Sequence, residues 1–146
     1  TGFQSKKIKL LLKKYNLKAS FNKYYLRGIG TSISHAIKIN KLNISGAMII
    51  PADMPFIKKS DYEKLLIAFI RNNKKIICPQ HKSIKGNPLI LPKLYFKLLM
   101  SLKKDQGAKT HLPSKDFKYV QTSIGTIFDV DNIKDLKKAK SLIKQN

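Results

Sequence analysis

One cysteine, Cys78, stands in 146 residues, and tryptophan is absent. A lone cysteine excludes a disulfide framework and a cysteine-rich zinc site, and it suits a reducing, cytoplasmic compartment. Long apolar runs are lacking too. The longest, Leu65–Ile70, falls far short of the ~20 residues of a membrane-spanning helix, so no membrane partner is expected. Acid is scarce: 8 acidic residues face 30 basic ones, a net charge of +22. Such a field attracts polyanions. Arginine is nearly missing, however. Only Arg27 and Arg71 occur, and the other basic residues are lysines. Direct reading of bases and bidentate phosphate binding favour arginine. The lysines are matched by many isoleucines and asparagines, types that share A/T-rich codons, so coding bias accounts for the charge better than a nucleic-acid partner does.

Apolar residues make up 42% of the chain, which excludes wholesale disorder, and the length suits a single domain over residues 1–146. Helical and strand patterns alternate. Ile8, Leu11, Leu12 and Tyr15 fall at helical spacing. Lys18–Phe21 reads as a short strand. Gly28 and Gly30 mark a loop, after which Thr31 or Ser32 would cap a helix with Ile33 and Ile37 on one face. Gly46–Ile50 is continuously apolar and reads as a central strand buried on both faces. Ser60 and Glu63 form a capping-box pattern ahead of Tyr62, Leu65, Leu66, Phe69 and Ile70. Lys75–Pro79 and Leu89–Leu91 read as strands around a Gly86-Asn87-Pro88 turn, a hairpin-like excursion. Tyr95, Leu98, Leu99 and Leu102 form another helical stripe, and a short helix follows Asp105–Ala108. Phe117–Gln121 and Thr126–Val130 read as strands. Asn132 would cap a last helix with Asp135 at N3 and Ile133, Leu136, Ala139 and Ile143 facing inward. The expected class is a three-layer α/β fold with a mostly parallel, mixed sheet.

With so few carboxylates each can be questioned. Asp61, Glu63 and Asp135 sit in first turns of helices, where capping and the helix dipole account for them. Asp53 follows the apolar strand in Ile50-Pro-Ala-Asp-Met-Pro55, and ligands bind at the carboxyl ends of parallel strands. Asp129 and Asp131 end another strand and, two apart, would share a face. Asp131 could equally cap the next helix. Carboxylates on two strand ends suit an octahedral Mg²⁺ completed by water and phosphate. The three histidines have no ligand spacing, and neither a Walker A loop nor GxGxxG occurs.

In combination the segments are recognisable. Asn22-Lys-Tyr-Tyr-Leu-Arg-Gly28-Ile-Gly-Thr-Ser32 resembles the Asn…Gly-x-x-x-Ser segment of MobA-like nucleotidyltransferases. Pro51-Ala-Asp-Met-Pro-Phe56 resembles their metal-binding strand end, and Lys85-Gly-Asn-Pro88 their Gly-Asn-Pro loop. Lys104-Asp-Gln-Gly-Ala-Lys109 is similar to their Gly-Asp-x-Gly-Ala-Arg loop, and Phe128-Asp-Val-Asp-Asn-Ile-Lys-Asp-Leu136 to Asp-Ile-Asp-Thr-Pro-Glu-Asp-Leu. The motifs fall in the family's order. Ala52 before Asp53, Asp129-Val-Asp131 and the Gly-Asn-Pro motif bring the chain nearest to the branch of molybdenum cofactor cytidylyltransferases.

The resemblance implies a Rossmann-like nucleotidyltransferase fold. It implies Mg²⁺ on Asp53 and Asp131, with Asp129 orienting Asp131. It places Gly28 and Ser32 near the nucleotide, and Gly86, Asn87 and Pro88 on the side of a phosphorylated pterin, which Asp105, Gly107, Ala108 and Lys109 help to shape. CTP would be the nucleotide and pyrophosphate the leaving product. Lys104 and Lys109 stand where the family has Gly and Arg, and Lys109 forfeits a bidentate fork. The family's Leu-Ala-Ala-Gly-x-Ser-x-Arg-Met-Gly loop finds no match. By analogy Thr1-Gly2 corresponds to the end of the third strand, with the preceding strands missing, and without that loop the chain is expected to be inactive alone. A nucleotidyltransferase for a sugar phosphate or another small phosphate, an inactive remnant and a basic nucleic-acid-binding module are the alternatives.

Overall fold

The computed structural model describes residues 1–40, 43–105 and 107–143. Five helices, α1 (Ser5–Lys14), α2 (Ile29–Asn40), α3 (Lys59–Arg71), α4 (Phe96–Ser101) and α5 (Ile133–Ile143), alternate with five strands among these residues. The strands are β1 (Gly46–Ile49), β2 (Ile76–His81), β3 (Ile84–Lys85), β4 (Leu89–Pro92) and β5 (Phe117–Gln121). They fall into two compact units, Thr1–Ser45 with Lys93–Ser114, and Gly46–Pro92 with Lys115–Asn146.

The second unit holds the sheet. Its strand order is β1-β4-β2-β3, with β5 also paired to β2. β2 and β5 are parallel, in the register Ile76↔Phe117 to Gln80↔Gln121. β4 lies antiparallel to both β1 and β2. The mixed α/β sheet is therefore present, but most pairings among the described strands are antiparallel, not parallel. The cause is local. β1, β2 and β5 all run one way, and the return strand β4, delivered by the β2–β3 hairpin, inserts between β1 and β2 and separates two strands that would otherwise pair in parallel. The carboxyl ends of β1, β2 and β5 still point to one end of the sheet.

The apolar core of this unit gathers Leu65 and Phe69 of α3 against Ile77 of β2 and Ile90 of β4, with Met48, Ala68 and Val120 at its margin. Each such aliphatic side chain contributes roughly 1.5–3 kcal/mol by burial. The strands buried on both faces are β2 over Ile76–Pro79 and β4 over Leu89–Pro92. β1 is not central. It ends the sheet order, and its four residues are half-buried. Continuous apolarity reports that both faces of a strand meet apolar surroundings, and it does not report the strand's place in the order.

Other differences are equally local. Thr126–Val130 is not a strand: Ile124–Ile127 is a 3₁₀ turn, held by the Thr126 hydroxyl donating to Ser123 O (3.0 Å). Lys18–Phe21 is not a strand either. Thr1 brackets it, its amino group donating to Ser20 O (2.7 Å) and its carbonyl accepting from Asn22 N–H (2.9 Å), and one residue's pairing does not make a ladder. The capping box at α3 is shifted by two residues. Asp61, at N3, accepts from Lys58 N–H (3.1 Å), so Glu63 is free of that role and instead pairs with Lys59 on the surface (3.7 Å).

In the first unit α2 packs on α4, and Ile33 and Ile37 of the one and Phe96 and Leu99 of the other are buried. The Ser34 hydroxyl donates to Met100 O (2.7 Å) and ties the two helices. α2 begins at Ile29, directly after Gly28, so Thr31 and Ser32 lie inside its first turn and do not precede it. α1 forms as expected but buries none of its residues. α5 is capped as expected: Asn132 Oδ1 accepts from Lys134 and Asp135 N–H, and Asp135 accepts from Asn132 N–H (3.2 Å). Of its expected inward residues Ala139 is buried, whereas Ile133 and Leu136 are exposed; the side chain of Ile143 lies outside the described residues. Among the described residues no helix is long and apolar enough to cross a membrane.

Candidate functional site

The acid-bearing segments of the second unit are fastened together. β1 delivers the chain into the turn Pro51–Pro55, where Asp53 is exposed and its neighbour Met54 is buried as the anchor. The segment carrying Asp129 and Asp131 returns alongside. Val130 N–H, between the two acids, donates to Asp53 O (2.9 Å). The rings of Phe56 and Phe128 meet edge to face with centroids 5.2 Å apart. Gly125 approaches the Phe56 carbonyl so closely that any Cβ would overlap it. Three ties within six residues on each side thus hold Asp53 beside the Asp129–Asp131 segment.

All three carboxylates are exposed. Asp131 is raised from its ordinary value, chiefly by the neighbouring Asp129 charge, with desolvation and the charges of Asp53 and Asp135 adding to it. The carboxylates therefore feel one another, and a cation would relieve that repulsion. Among the described residues no group of three or more Asp, Glu, His or Cys side chains is placed to hold a metal ion. Hard oxygen donors from one or two carboxylates, open to water and phosphate on the remaining positions, match what Mg²⁺ takes rather than zinc or a structural calcium.

The Gly86-Asn87-Pro88 loop joins the same assembly. Gly86 N–H donates to Pro79 O and Asn87 N–H to Thr126 O, both at 2.9 Å. Thr126 is fully buried, its hydroxyl shared with Thr122 (2.8 Å). Gly86–Pro88, Asp53 and Asp129–Asp131 are thereby gathered at the Ile124–Val130 segment.

The remaining expected residues lie in the first unit. Gly28 has φ 106°, and a Cβ there would collide with Lys104 and Asp105, so the first glycine motif and the Asp105 loop back directly onto each other. Gly30 N–H donates to Lys104 O (2.9 Å). Ser32 is engaged by a residue that the motif reading quoted without assigning. Asn22, 2% exposed, donates through its side-chain amide to Ser32 Oγ (3.1 Å) and Thr31 Oγ1 (2.9 Å), while its Oδ1 accepts from Tyr24 N–H (3.0 Å). The signal was the asparagine itself, whose side chain accepts from the backbone N–H two residues on in an Asx turn. A Cβ on Gly107 would meet nothing within 4 Å, Ala108 is buried in the 3₁₀ turn Ala108–His111, and Lys109 is half-buried there. A cavity of about 800 Å³ opens in this unit, with Asn22 and Thr31 in its wall.

Residues 4–118 match the model of the MobA-like NTP transferase domain. The chain belongs to that family. The MobA-like domain is also similar in structure to molybdopterin-guanine dinucleotide biosynthesis protein A from Archaeoglobus fulgidus, with a TM-score of 0.68 at 15% identity, over 97% of this chain and 75% of that one. A second similar structure is the homolog of Mycobacterium tuberculosis rv0371c from mycobacterium sp. strain JC1, with a TM-score of 0.69 at 17% identity, over 88% of this chain and 63% of that one. At these identities the likeness is one of fold, and it shows the Rossmann-like nucleotidyltransferase architecture in the MobA-like domain. The chain spans less than two thirds of the mycobacterial protein. No curated protein matches it.

Proposed function

We propose that this chain carries the metal carboxylates and acceptor-side loop of a nucleotidyltransferase that joins CMP from CTP to a phosphorylated pterin, as in molybdenum cofactor maturation. The observation that carries the reading is the tie between Asp53 and Val130, which sets two acidic segments side by side. The family supports nucleotidyl transfer, and the Archaeoglobus protein is named for molybdopterin-guanine dinucleotide biosynthesis. Ala52, Asp129-Val-Asp131 and Gly86-Asn-Pro88 favour the cytidylyl branch over the guanylyl one.

In this reaction an oxygen of the acceptor's phosphate attacks the α-phosphorus of CTP in line. The bond from that phosphorus to the bridging oxygen breaks, and pyrophosphate leaves with the electron pair. The attacking oxygen is already anionic, so positioning and charge neutralisation matter more than a general base. Asp53 and Asp131 would hold Mg²⁺, which supplies charge neutralisation at the phosphates when bound. Asp129 enforces the demand for a cation by raising the local negative potential. Gly86 and Asn87 keep the acceptor-side loop rigid through their backbone bonds. Gly28 and Ser32, with Asn22 holding the Ser32 hydroxyl, would face the nucleotide, and Asp105, Gly107, Ala108 and Lys109 would shape the acceptor side. Because no glycine-rich triphosphate loop of the family's pattern occurs in residues 1–146, these residues alone are expected to bind and not to turn over CTP.

The test is calorimetric titration of the chain with CTP and with GTP, with and without Mg²⁺. Binding strengthened by Mg²⁺, stronger for CTP and lost in the Asp53→Asn variant, supports the reading. Binding indifferent to Mg²⁺ and collapsing with salt would replace it with a nonspecific polyanion binder.

A further inference from the structure

We propose that Thr126 is a positioning residue: its buried hydroxyl fixes the turn that holds the Gly86–Pro88 loop at a set distance from the carboxylates of Asp53 and Asp131. The role rests on the nucleotidyltransferase reading of that site.

Where positioning governs the rate, a metal ion and the acceptor's phosphate must meet at one fixed separation. The carboxylates and the Gly86–Pro88 loop come from segments far apart in sequence, and one stretch, Ser123–Val130, touches both. On the acid side Gly125 seats against the Phe56 carbonyl, Phe128 packs on Phe56, and Val130 N–H donates to Asp53 O (2.9 Å). On the loop side the Thr126 carbonyl accepts from Asn87 N–H (2.9 Å), and it lies so near Gly86 that a Cβ there would overlap it. Thr126 is thus the residue that fastens the loop to the acidic segment.

Its own orientation is set by its side chain, which is fully buried. Its N–H (3.2 Å) and its hydroxyl (3.0 Å) both donate to Ser123 O, and the Thr122 hydroxyl lies 2.8 Å from its Oγ1. Each hydroxyl carries one proton. With the Thr126 proton on Ser123 O, Thr122 is the donor between the two. The start of the turn is anchored as well. Ser123 N–H (2.9 Å) and Oγ (2.6 Å) donate to the buried carboxylate of Asp61, and Thr122 N–H donates to Gln80 O of β2 (3.0 Å). Valine keeps the shape of threonine and has no proton to donate. In its presence Ser123 O keeps the Thr126 N–H bond, and the Thr122 hydroxyl can turn to Gln80 O (3.3 Å). The exchange therefore strands no buried polar group, while it loosens the turn that aims the Thr126 carbonyl.

The test is titration of the whole chain with a monophosphorylated pterin, with and without Mg²⁺, and with Mn²⁺ alone. Mg²⁺ should tighten pterin binding at least tenfold in the unaltered chain. Thr126→Val should cut that enhancement to threefold or less while Mn²⁺ affinity stays within twofold, because the ties of Asp53 to Val130 and of Phe56 to Phe128 remain. Thr126→Ser, which keeps the hydroxyl, should restore the enhancement. Exchange of the Asn87 amide proton, followed by nuclear magnetic resonance, should quicken in Thr126→Val and not in Thr126→Ser. Ile77→Val, a truncation in the core of α3, β2 and β4, should keep the full enhancement. An enhancement in Thr126→Val equal to that of the unaltered chain would overturn the proposal, as would an equal loss in Ile77→Val. If Thr126→Val loses its fold by circular dichroism, Thr122→Val, which removes one of the two hydroxyl bonds of Thr126, decides in the same sense. Enhancement kept in Thr126→Val but lost in Asp53→Asn removes the positioning role and leaves the transferase reading standing. No enhancement in the unaltered chain removes both.

Discussion

Val130 N–H donates to the carbonyl of Asp53 across 2.9 Å, so the backbone that presents Asp131 is bonded to the backbone that presents Asp53. The two carboxylates are positioned by main chain and leave their own oxygens unused in the tie. Exposed side chains in that setting act on ligand affinity far more than on stability. Asp53→Asn and Asp131→Asn should each weaken Mg²⁺ at least tenfold, or by about 1.4 kcal/mol, while unfolding free energies move by no more than about 0.5 kcal/mol. Titration with Mn²⁺ followed by electron paramagnetic resonance, beside urea unfolding, checks both halves.

Asp61 makes the opposite case. It is 1% exposed, and its carboxylate accepts from Ser123 N–H (2.9 Å), Ser123 Oγ (2.6 Å) and Lys58 N–H (3.1 Å). Burial by itself would raise its pKa, but the bonds to Ser123 and Lys58 more than offset that and hold it below the ordinary value. A folded value below the unfolded one of about 3.9 gives a contribution that is full above pH ~4 and lost as the pH falls through the folded value. Asp61→Asn turns one acceptor into a donor facing donors. It should cost about 2 kcal/mol at pH 7 and flatten the acid limb of the stability profile. An unchanged acid limb would show that Asp61 is not the group responsible.

These contrasts mark what the residues alone could reveal. The Asn132–Asp135 box and the strand at Phe117–Gln121 were legible because capping and alternation are local. Asp61 was legible as a helix-start acid but not as a buried one, since its partner Ser123 lies 62 residues away. β1 was legible as an apolar strand, while nothing in its own residues announced that β4 would come between it and β2. Thr126–Val130 carries strand-forming residues, yet the hydroxyls of Thr122 and Thr126 and the backbone of Ser123 close a turn that composition does not announce. At the site, Asp53, Asp131 and Gly86–Pro88 stood out by their motifs. Asn22 opened another motif, but its role did not show there, because its weight comes from Thr31 and Ser32, hydroxyls that only the folded loop brings to it.

Gly28 offers a test of the first unit that involves no charge. Its φ of 106° disfavours any L side chain, and a Cβ would strike Lys104 and Asp105. Gly28→Ala should cost at least about 2 kcal/mol from backbone strain and the displaced loop. Gly107→Ala, with nothing within 4 Å of the new Cβ, should stay within about 0.5 kcal/mol. Urea midpoints at unchanged m-values measure the difference. Equal effects would mean that the two motif loops are not seated on each other.

The Phe56–Phe128 contact separates holding the acids from being one of them. Phe56 lies three residues after Asp53 and Phe128 one residue before Asp129, so their edge-to-face packing clamps both acidic segments without touching a ligand. Replacing Phe128 by Leu keeps an apolar side chain and removes the ring pair, worth about 0.5–1.5 kcal/mol beyond area burial. Stability should fall by about that amount. Mg²⁺ affinity should fall several-fold as well, although every carboxylate remains, because two charges that repel one another must now be brought together by the ion instead of by the fold. Phe56→Leu should do the same, and the double variant should be little worse than either single one, since each removes the same contact. Additive losses of Mg²⁺ affinity would show that the rings act separately and that the clamp does not set the distance between Asp53 and Asp131.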